Sequence, residues 1–473
     1  MSQSQSQPEK LRIFTLNCWG LKYVSRHRTE RVTAIARYLA DTDYDVVALQ
    51  ELWVFSDYEH VRDAVSSTLP HSKFFYSGAL GAGLVVLSRF PIVAATVHPY
   101  SLNGSPIDVI AGDWFVGKAA ASVLIAHPVL GHTQIFNTHL FAMGGDEGPE
   151  HFKAHRLVGA WEFAKLARQA ADAGRVVIAA GDFNSVPTAP PMSIIRSHAG
   201  LKDAWEDTHP SSSSSSSSSN QPLSSNQPLS PAEAIRVHGV TADSPLNSFS
   251  AGKQLENHAR KFHGKRLDYV FYRSPTTHSK TRLRCVQAEV RLTEDVPGRA
   301  FSYSDHFGLE VVFEISPAKD GEDGEEGAGA GEGESVPSVS NAAEAPQHAL
   351  PPDLIASTIA SLTARYRFAT AQSRTHLSIF IACLLLLLAL IVSSPFLPRL
   401  AWLNPLFVLM TAGVSWLGTT MLYVGFVYGR WEVNALTNVI EELEIYRATV
   451  EERGEAGARG NGSYGAWRAE VER

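Results

Sequence analysis

The stretch "SYSDHFGLEVVFE", Ser302 to Glu314, joins an Asp–His pair to a run with apolar residues at Phe307, Leu309, Val311 and Phe313. A period of two is the mark of a strand with one face buried. Asp305 and His306 therefore stand at the mouth of a strand. The fragment alone is compatible with a solvated turn. What decides is whether other strands in the chain carry polar residues in the same way.

They do. "LRIFTL" runs into Asn17, and "YDVVALQE" ends on Glu51. "TQIFNTHL" carries His139, "RVVIAAGDFN" ends on Asp182 and Asn184, and "KRLDYVFY" contains Asp268. "GLVVLS" and "AASVLIA" are two further buried strands. Between them "ERVTAIARYLA" and "HFKAHRLVGAWEFAKLARQAADAG" have the apolar spacing of helices, the second closed by a glycine. The order is that of an α/β domain. In such domains the sheet body is buried and its ends are open, so functional side chains collect at strand ends.

Composition bounds the rest. The chain has 473 residues, 44% hydrophobic and 19% charged, enough for a large core. Its net charge is −7, and "DGEDGEEGAGAGEGE" (Asp320 to Glu334) contributes seven acids and no bases, so the remainder is balanced. A balanced domain lacks the overall basic bias expected of a phosphate-backbone binder, and no nucleic acid partner is expected. Three cysteines, Cys18, Cys285 and Cys383, at irregular spacing suit neither a disulfide framework nor a zinc site. The polar start "MSQSQSQPEK" has no apolar core of a signal peptide.

These features divide the chain. Residues 1–10 are expected to be a disordered tail and 11–316 a self-contained folded domain. A low-complexity, flexible Ser-rich insertion occupies about 209–231, and an acidic Gly-rich linker 317–352. Residues 353–430 are expected to be a membrane anchor with uncharged apolar runs at about 377–397 and 405–428, each close to the ~20 residues that span a bilayer. The short connection makes the pair a hairpin. Arg365, Arg367, Arg374 and Arg430 flank its outer ends while Arg399 is alone in the turn, which places both termini in the cytosol. Residues 431–473 are expected to form a cytosolic amphipathic helix and a tail.

Taken together, "NCWGL", the polar strand ends and the two C-terminal apolar segments resemble the neutral sphingomyelinases and their fungal counterparts, the inositol phosphosphingolipid phospholipases C. These belong to the endonuclease/exonuclease/phosphatase superfamily. The resemblance implies a four-layered α/β sandwich, deoxyribonuclease I-like, with a C-terminal two-helix transmembrane hairpin. It implies hydrolysis of a membrane phosphosphingolipid to ceramide and a phosphorylated headgroup. Glu51, with Asn17 beside it and Asp305 in support, would hold a divalent ion, and hard oxygen ligands suggest Mg²⁺. His306 would be the general base and Asp268 its orienter. Asp182 would align the attacking water, Asn184 would donate to a phosphate oxygen, and His139 would stabilise or protonate the leaving group.

"GDWFVGKA" (Gly112 to Ala119) nearly matches a phosphate-binding loop but has Ala119 where a hydroxyl is needed. The resemblance implies instead that Asp113 and Lys118 are a switch pair, closing an exposed loop whose Trp114, Phe115 and Val116 dip into lipid. An anionic phospholipid is a candidate activator. The expected membrane is that of the endoplasmic reticulum or the mitochondrial outer membrane. An inositol-polyphosphate phosphatase or an endonuclease of the same fold, and an inactive membrane scaffold, remain alternatives at this point.

Overall fold

The computed structural model describes residues 9–109, 112–143, 145, 148, 150–210, 229–275, 281–317, 349–396 and 402–454. The body of the Ser-rich insertion, residues 318–348 of the acidic linker, Arg399, residues 1–8 and residues 455–473 lie outside the described residues, while Glu9 and Lys10, expected in the N-terminal tail, belong to the first strand.

Strands β1 (Glu9–Asn17), β2 (Val46–Gln50), β3 (His71–Phe75), β4 (Leu84–Ser88), β11 (Thr281–Arg291) and β12 (Gly308–Pro317) form one sheet in the order β11-β12-β1-β2-β4-β3. The second sheet runs β5-β6-β7-β8-β10-β9, from β5 (Ile92–Pro99), β6 (Ala119–His127), β7 (Gly131–His139), β8 (Val176–Asp182), β9 (Lys202–Asp203) and β10 (Asp268–Arg273). Alternation within each strand sorts the side chains between layers. Leu11 and Ile13 of β1, with Val46 and Ala48 of β2, pack against Val123, Ile135 and Ile178 of the other sheet. Their neighbours Phe14, Leu16, Val47 and Leu49 face outward, under helices α1 (Arg28–Ala40) and α2 (Phe55–Val65). A single turn, α3 (Asp113–Val116), precedes β6. The second sheet is covered by α4 (Glu150–Asp172) and α5 (Pro190–Ala199). Short helices α6 (Ala204–Thr208), α7 (Pro231–His238) and α8 (Asn257–Phe262) complete the domain. This is the four-layered sandwich expected.

A polar layer ties the sheets together. Asn137 on β7 donates to the carbonyls of Leu49 and Val85 at 2.9 and 2.8 Å, and Gln50 donates to Asn137 Oδ1 at 2.7 Å. Both side chains are fully buried. A buried amide left without partners costs ~1–3 kcal/mol, so this layer fixes how one sheet sits on the other.

The C-terminal region consists of α9 (Pro352–Ser393), α10 (Leu403–Leu422), a π-helical stretch Tyr423–Tyr428, and α11 (Gly429–Gly454). Two apolar stretches here are long enough to cross a bilayer. They are the far ends of helices that continue well above them, because nothing between Pro352 and Leu377 breaks the helix. Gly418, Gly425 and Gly429 let the helices approach closely: a Cβ would lie 3.2 Å from that of Cys383 at Gly418 and 2.9 Å from those of His376 and Ser373 at the other two.

The upper halves are not free. Ile355, Ile359 and Leu362 of α9 and Leu436, Ile440 and Leu443 of α11 share one core with Leu157, Val158 and Trp161 of α4. The amphipathic helix thus has the sandwich itself as its partner, and residues 11–316 do not cover their own α4. Glu432 is buried between Arg365 (Nε to Oε1, 2.6 Å) and His155 of α4 (2.9 Å). Burial disfavours the Glu432 charge, but His155 and Arg365 outweigh it and hold the carboxyl below its usual range. Arg365, expected as a flanking charge, is spent on this internal cluster.

Candidate active site

Topology brings the polar stations together. β1 and β2 are parallel, and β12 runs antiparallel to β1, so Asn17, Glu51 and His306 reach the same edge. In the second sheet β7 and β8 are parallel with His139 opposite Asp182, and antiparallel β10 starts with Asp268 opposite Asp182. Packing the sheets face to face closes the two half-sites onto each other.

Asn17 Nδ2 donates to Glu51 Oε1 at 3.2 Å and to Asp182 Oδ2 at 3.0 Å. His306 Nδ1 lies 2.8 Å from Asp268 Oδ2, and its Nε2 lies 3.9 Å from Asp182 Oδ2. His139 Nε2 is 3.5 Å from Asp182 Oδ2 and 3.9 Å from Glu51 Oε1. Asp305 Oδ1 lies 3.3 Å from the Ser304 hydroxyl oxygen, and its charge acts on both Glu51 and His306. Glu51 and Asn184 have φ of 54° and 48°, a region side-chain-bearing residues rarely adopt. Such strain is held only where the surroundings over-determine it, and it clusters at functional sites.

Asn184 lies at the same edge: its amide nitrogen donates to Leu140 O at 3.0 Å and its backbone N–H to Asp182 Oδ1 at 2.9 Å. One of its two side-chain N–H donors is thus used on the backbone. The Asp113–Lys118 pair is present, at 3.2 Å, but it is buried, with the Lys118 side chain 4% exposed. Gly117, with φ of 56°, turns the chain so that Lys118 enters the site rather than closing an exposed loop. Its ammonium donates to His139 Nε2 at 3.0 Å and to Leu140 O at 2.9 Å.

Electrostatics divides the groups. Burial and the nearby Asp305 charge push Glu51 up to about 7. Burial likewise raises Asp182, to about 6. Burial together with the Lys118 ammonium holds His139 well below its usual range, so it stays neutral. His306 goes the other way: burial opposes its charge, but Asp268 and Asp182 outweigh it and hold it well above its ordinary value.

The donor set suits a divalent ion. Two carboxylates whose ionised forms are disfavoured by burial flank the Asn17 amide, whose Nδ2 faces them while its Oδ1 takes a bond from the Trp19 N–H at 3.0 Å, and Asp268 Oδ1 is buried without a partner. Oxygen ligands favour a hard cation. Asp182, Asp268 and His306 also come within 4.8 Å of one another. Asp268 is already engaged by His306 through Oδ2, while Glu51 takes an amide N–H at 3.2 Å and has only the neutral His139 ring at 3.9 Å beside it, so its buried carboxylate would gain from a cation.

Several supporting residues were missed in the sequence. Arg31 lies within the pattern of α1 and gave no sign of its role. It is fully buried and donates to the carbonyls of Cys18, Trp19 and Tyr303, at 2.8, 2.7 and 3.1 Å, pinning the two loops that carry Asn17 and Asp305. The Ser304 hydroxyl reaches Asn17 O at 2.6 Å.

A buried carboxylate–imidazole pair facing an acidic cation pocket across the open edge of a two-sheet sandwich defines a metal-assisted phosphoester hydrolase site. The profile of the Endonuclease/Exonuclease/phosphatase family matches residues 14–306, and the chain belongs to that family. It is 34% identical over 459 residues to the inositol phosphosphingolipids phospholipase C of Schizosaccharomyces pombe, covering 93% of this chain and 95% of the relative. Against the enzyme of the same name from Saccharomyces cerevisiae it is 31% identical, covering 93% and 90%. Sphingomyelin phosphodiesterase 2 of Homo sapiens is 36% identical over 199 residues, covering 42% and 47%.

Proposed function

We propose that the chain is a Mg²⁺-dependent phospholipase C-type hydrolase of phosphosphingolipids, releasing ceramide and a phosphorylated headgroup. The apolar hairpin holds it in a membrane of the endoplasmic reticulum or the outer mitochondrion, with the catalytic domain and both termini cytosolic. The observation that carries the reading is the placing of the His306–Asp268 pair, 2.8 Å apart, across Asp182 from Glu51 and Asn17. The names of the relatives that match nearly the whole chain support the substrate class.

Glu51, Asn17 and Asp305 would hold the ion, which when bound neutralises phosphate charge and acts as a Lewis acid. Asp268 fixes the His306 ring with Nε2 directed at the Asp182 side, where a water would be aligned. His306 takes that water's proton as its oxygen attacks phosphorus. The bond from phosphorus to the ceramide oxygen breaks on the His139 side, the departing oxygen takes its proton from solvent water, and His306 returns the proton it accepted to solvent. His139 is neutral and bonded to Lys118, so this pair stabilises the leaving oxygen by positive charge rather than by an imidazolium.

Purified full-length chain incubated in mixed micelles with sphingomyelin and, separately, with inositol phosphoceramide tests the proposal. Release of a phosphorylated headgroup with ceramide, dependent on Mg²⁺ and abolished by chelator, is expected. No turnover of either lipid with Mg²⁺ present overturns it.

A further inference from the structure

A cavity of about 340 Å³ lies where the second apolar helix meets the sandwich, walled by Trp114, Tyr423, Val427 and Trp431 and floored by Gly78 and Gly117. We propose that this groove is the acyl-chain subsite, receiving a chain of the ceramide half of the substrate directly from the bilayer. The assignment rests on the function proposed above.

The lining argues for a hydrocarbon. Among the described residues, none that lines the groove carries a formal charge. The polar atoms of two large rings are already used: Trp431 Nε1 donates to Ser101 O at 3.0 Å, and the Tyr428 hydroxyl donates to Gly104 O. Ring and methyl surface dominates the space, with Ser77, Ser101 and Asn103 as its polar margin and Ser77 Oγ and Asn103 Oδ1 buried without partners, which suits an apolar occupant carrying a few neutral polar groups and not an anionic headgroup. The volume falls within the ~300–1,000 Å³ of small-ligand pockets.

The position argues for a lipid of the adjoining leaflet. Tyr423 and Val427 continue the exposed apolar surface of α10, which includes Leu406, Leu409 and Trp416. A chain can therefore enter without crossing water. Close to the groove, Leu80, Ile107 and Val109 are exposed apolar side chains on the loops that carry Gly78 and Gly104. Trp431 at this level fits the aromatic belt of a bilayer interface.

The connection to the site argues for ceramide. Gly117 is packed on Gly78 so tightly that a Cβ on it would lie 2.4 Å from the Gly78 nitrogen. The next residue, Lys118, is bonded to His139 on the leaving-group side. One residue thus separates the groove from the position of the departing oxygen. The lipid half of the substrate, ceramide in the reaction proposed above, is the part that ends there.

The test uses the full-length chain carrying His306→Ala in vesicles that contain a long-chain phosphosphingolipid with a photoactivatable acyl tail. Crosslinks are expected at residues 114–117 and 423–431. Val427→Trp, which fills the groove, should reduce them by about tenfold, the scale of losing one or two buried methylenes. Val408→Trp, on exposed apolar surface elsewhere, should leave them unchanged. In the chain with His306 restored, Val427→Trp should abolish the preference in kcat/KM for long over short acyl chains. Equal crosslinking by a photoactivatable glycerophospholipid would make the groove a general lipid site and overturn the proposal. Absence of these crosslinks in a chain that does hydrolyse the lipid overturns the groove alone. The expected crosslinks without turnover by the wild-type chain overturn the hydrolysis reading and leave the groove standing.

Discussion

Removing either member of the Asp113–Lys118 pair should destabilise the protein, and the two removals should differ in their effect on turnover. An exposed ion pair is worth ~0–1 kcal/mol. This pair is not exposed: the Lys118 and Asp113 side chains are 4% and 13% accessible, 3.2 Å apart. Breaking a buried pair from one side costs ~3–5 kcal/mol, because the surviving charge stays buried. At ~2–4 °C per kcal/mol for a large domain, Asp113→Ala and Lys118→Met should each lower Tm by at least about 6 °C. The double variant should be little worse than the worse single one, since both lose the same interaction. Turnover separates the two. Lys118→Met also deletes the bond to His139 Nε2, and a hydrogen bond to a charged group is worth ~1.5–3 kcal/mol, or about 10–150-fold. Asp113→Ala leaves that bond in place and should cost less. Thermal unfolding followed by tryptophan fluorescence, with Mg²⁺-dependent turnover of the same samples, reads both. Tm values within 1 °C of wild type for both single variants, or equal losses of turnover, would refute the reasoning.

Other consequences concern the site, the core and the anchor. His306→Ala should lower turnover by ~10²–10⁴-fold, and Asp268→Asn by less. Asp268 raises the His306 pKa, so Asp268→Asn should move the acid limb of the rate profile to lower pH; an unmoved limb would separate the two residues. Glu51 has a raised pKa, so in chelator the wild-type Tm should be highest in acid and fall as pH rises through about 7. Glu51→Gln should flatten that slope and raise the Mg²⁺ needed for half-activation, as titration of Tm and rate will show. Asn137→Leu strips partners from Gln50 and from two strand carbonyls and should cost ~1–3 kcal/mol for each group left unpaired, measured by denaturant unfolding. A chain ending at residue 345 loses α9 and α11 and exposes Leu157, Val158 and Trp161 of α4, so it should aggregate; a soluble, cooperative monomer would contradict the shared core.

The sequence by itself determined the central strands, the family likeness and the six stations of the site. β1, β2, β4, β6, β7, β8, β10 and β12 are covered on both faces or carry clean alternation, and burial writes itself into composition. The strands it hid are β3, β5, β9 and β11, and all four are sheet edges. β5 is largely apolar in sequence, from Ile92 to Val97, but it has no fully buried residue along its length, so no alternation between a buried and an open face marks it. Asn17, Glu51, His139, Asp182, Asp268 and His306 were legible because a polar residue at the end of a buried strand breaks a pattern. Lys118 was visible, but its burial was not: only the turn at Gly117 points it into the site. Arg31 was invisible for the opposite reason, since one charge on an amphipathic helix looks like any other until three carbonyls from distant loops converge on it. The same holds for the anchor. Hydropathy marked two apolar stretches, but a helix pattern shows which face is apolar and not what covers it. That α9 and α11 close over α4, with Glu432 held between Arg365, 67 residues away, and His155, 277 residues away, was decided by the packing of distant segments, which no local pattern encodes.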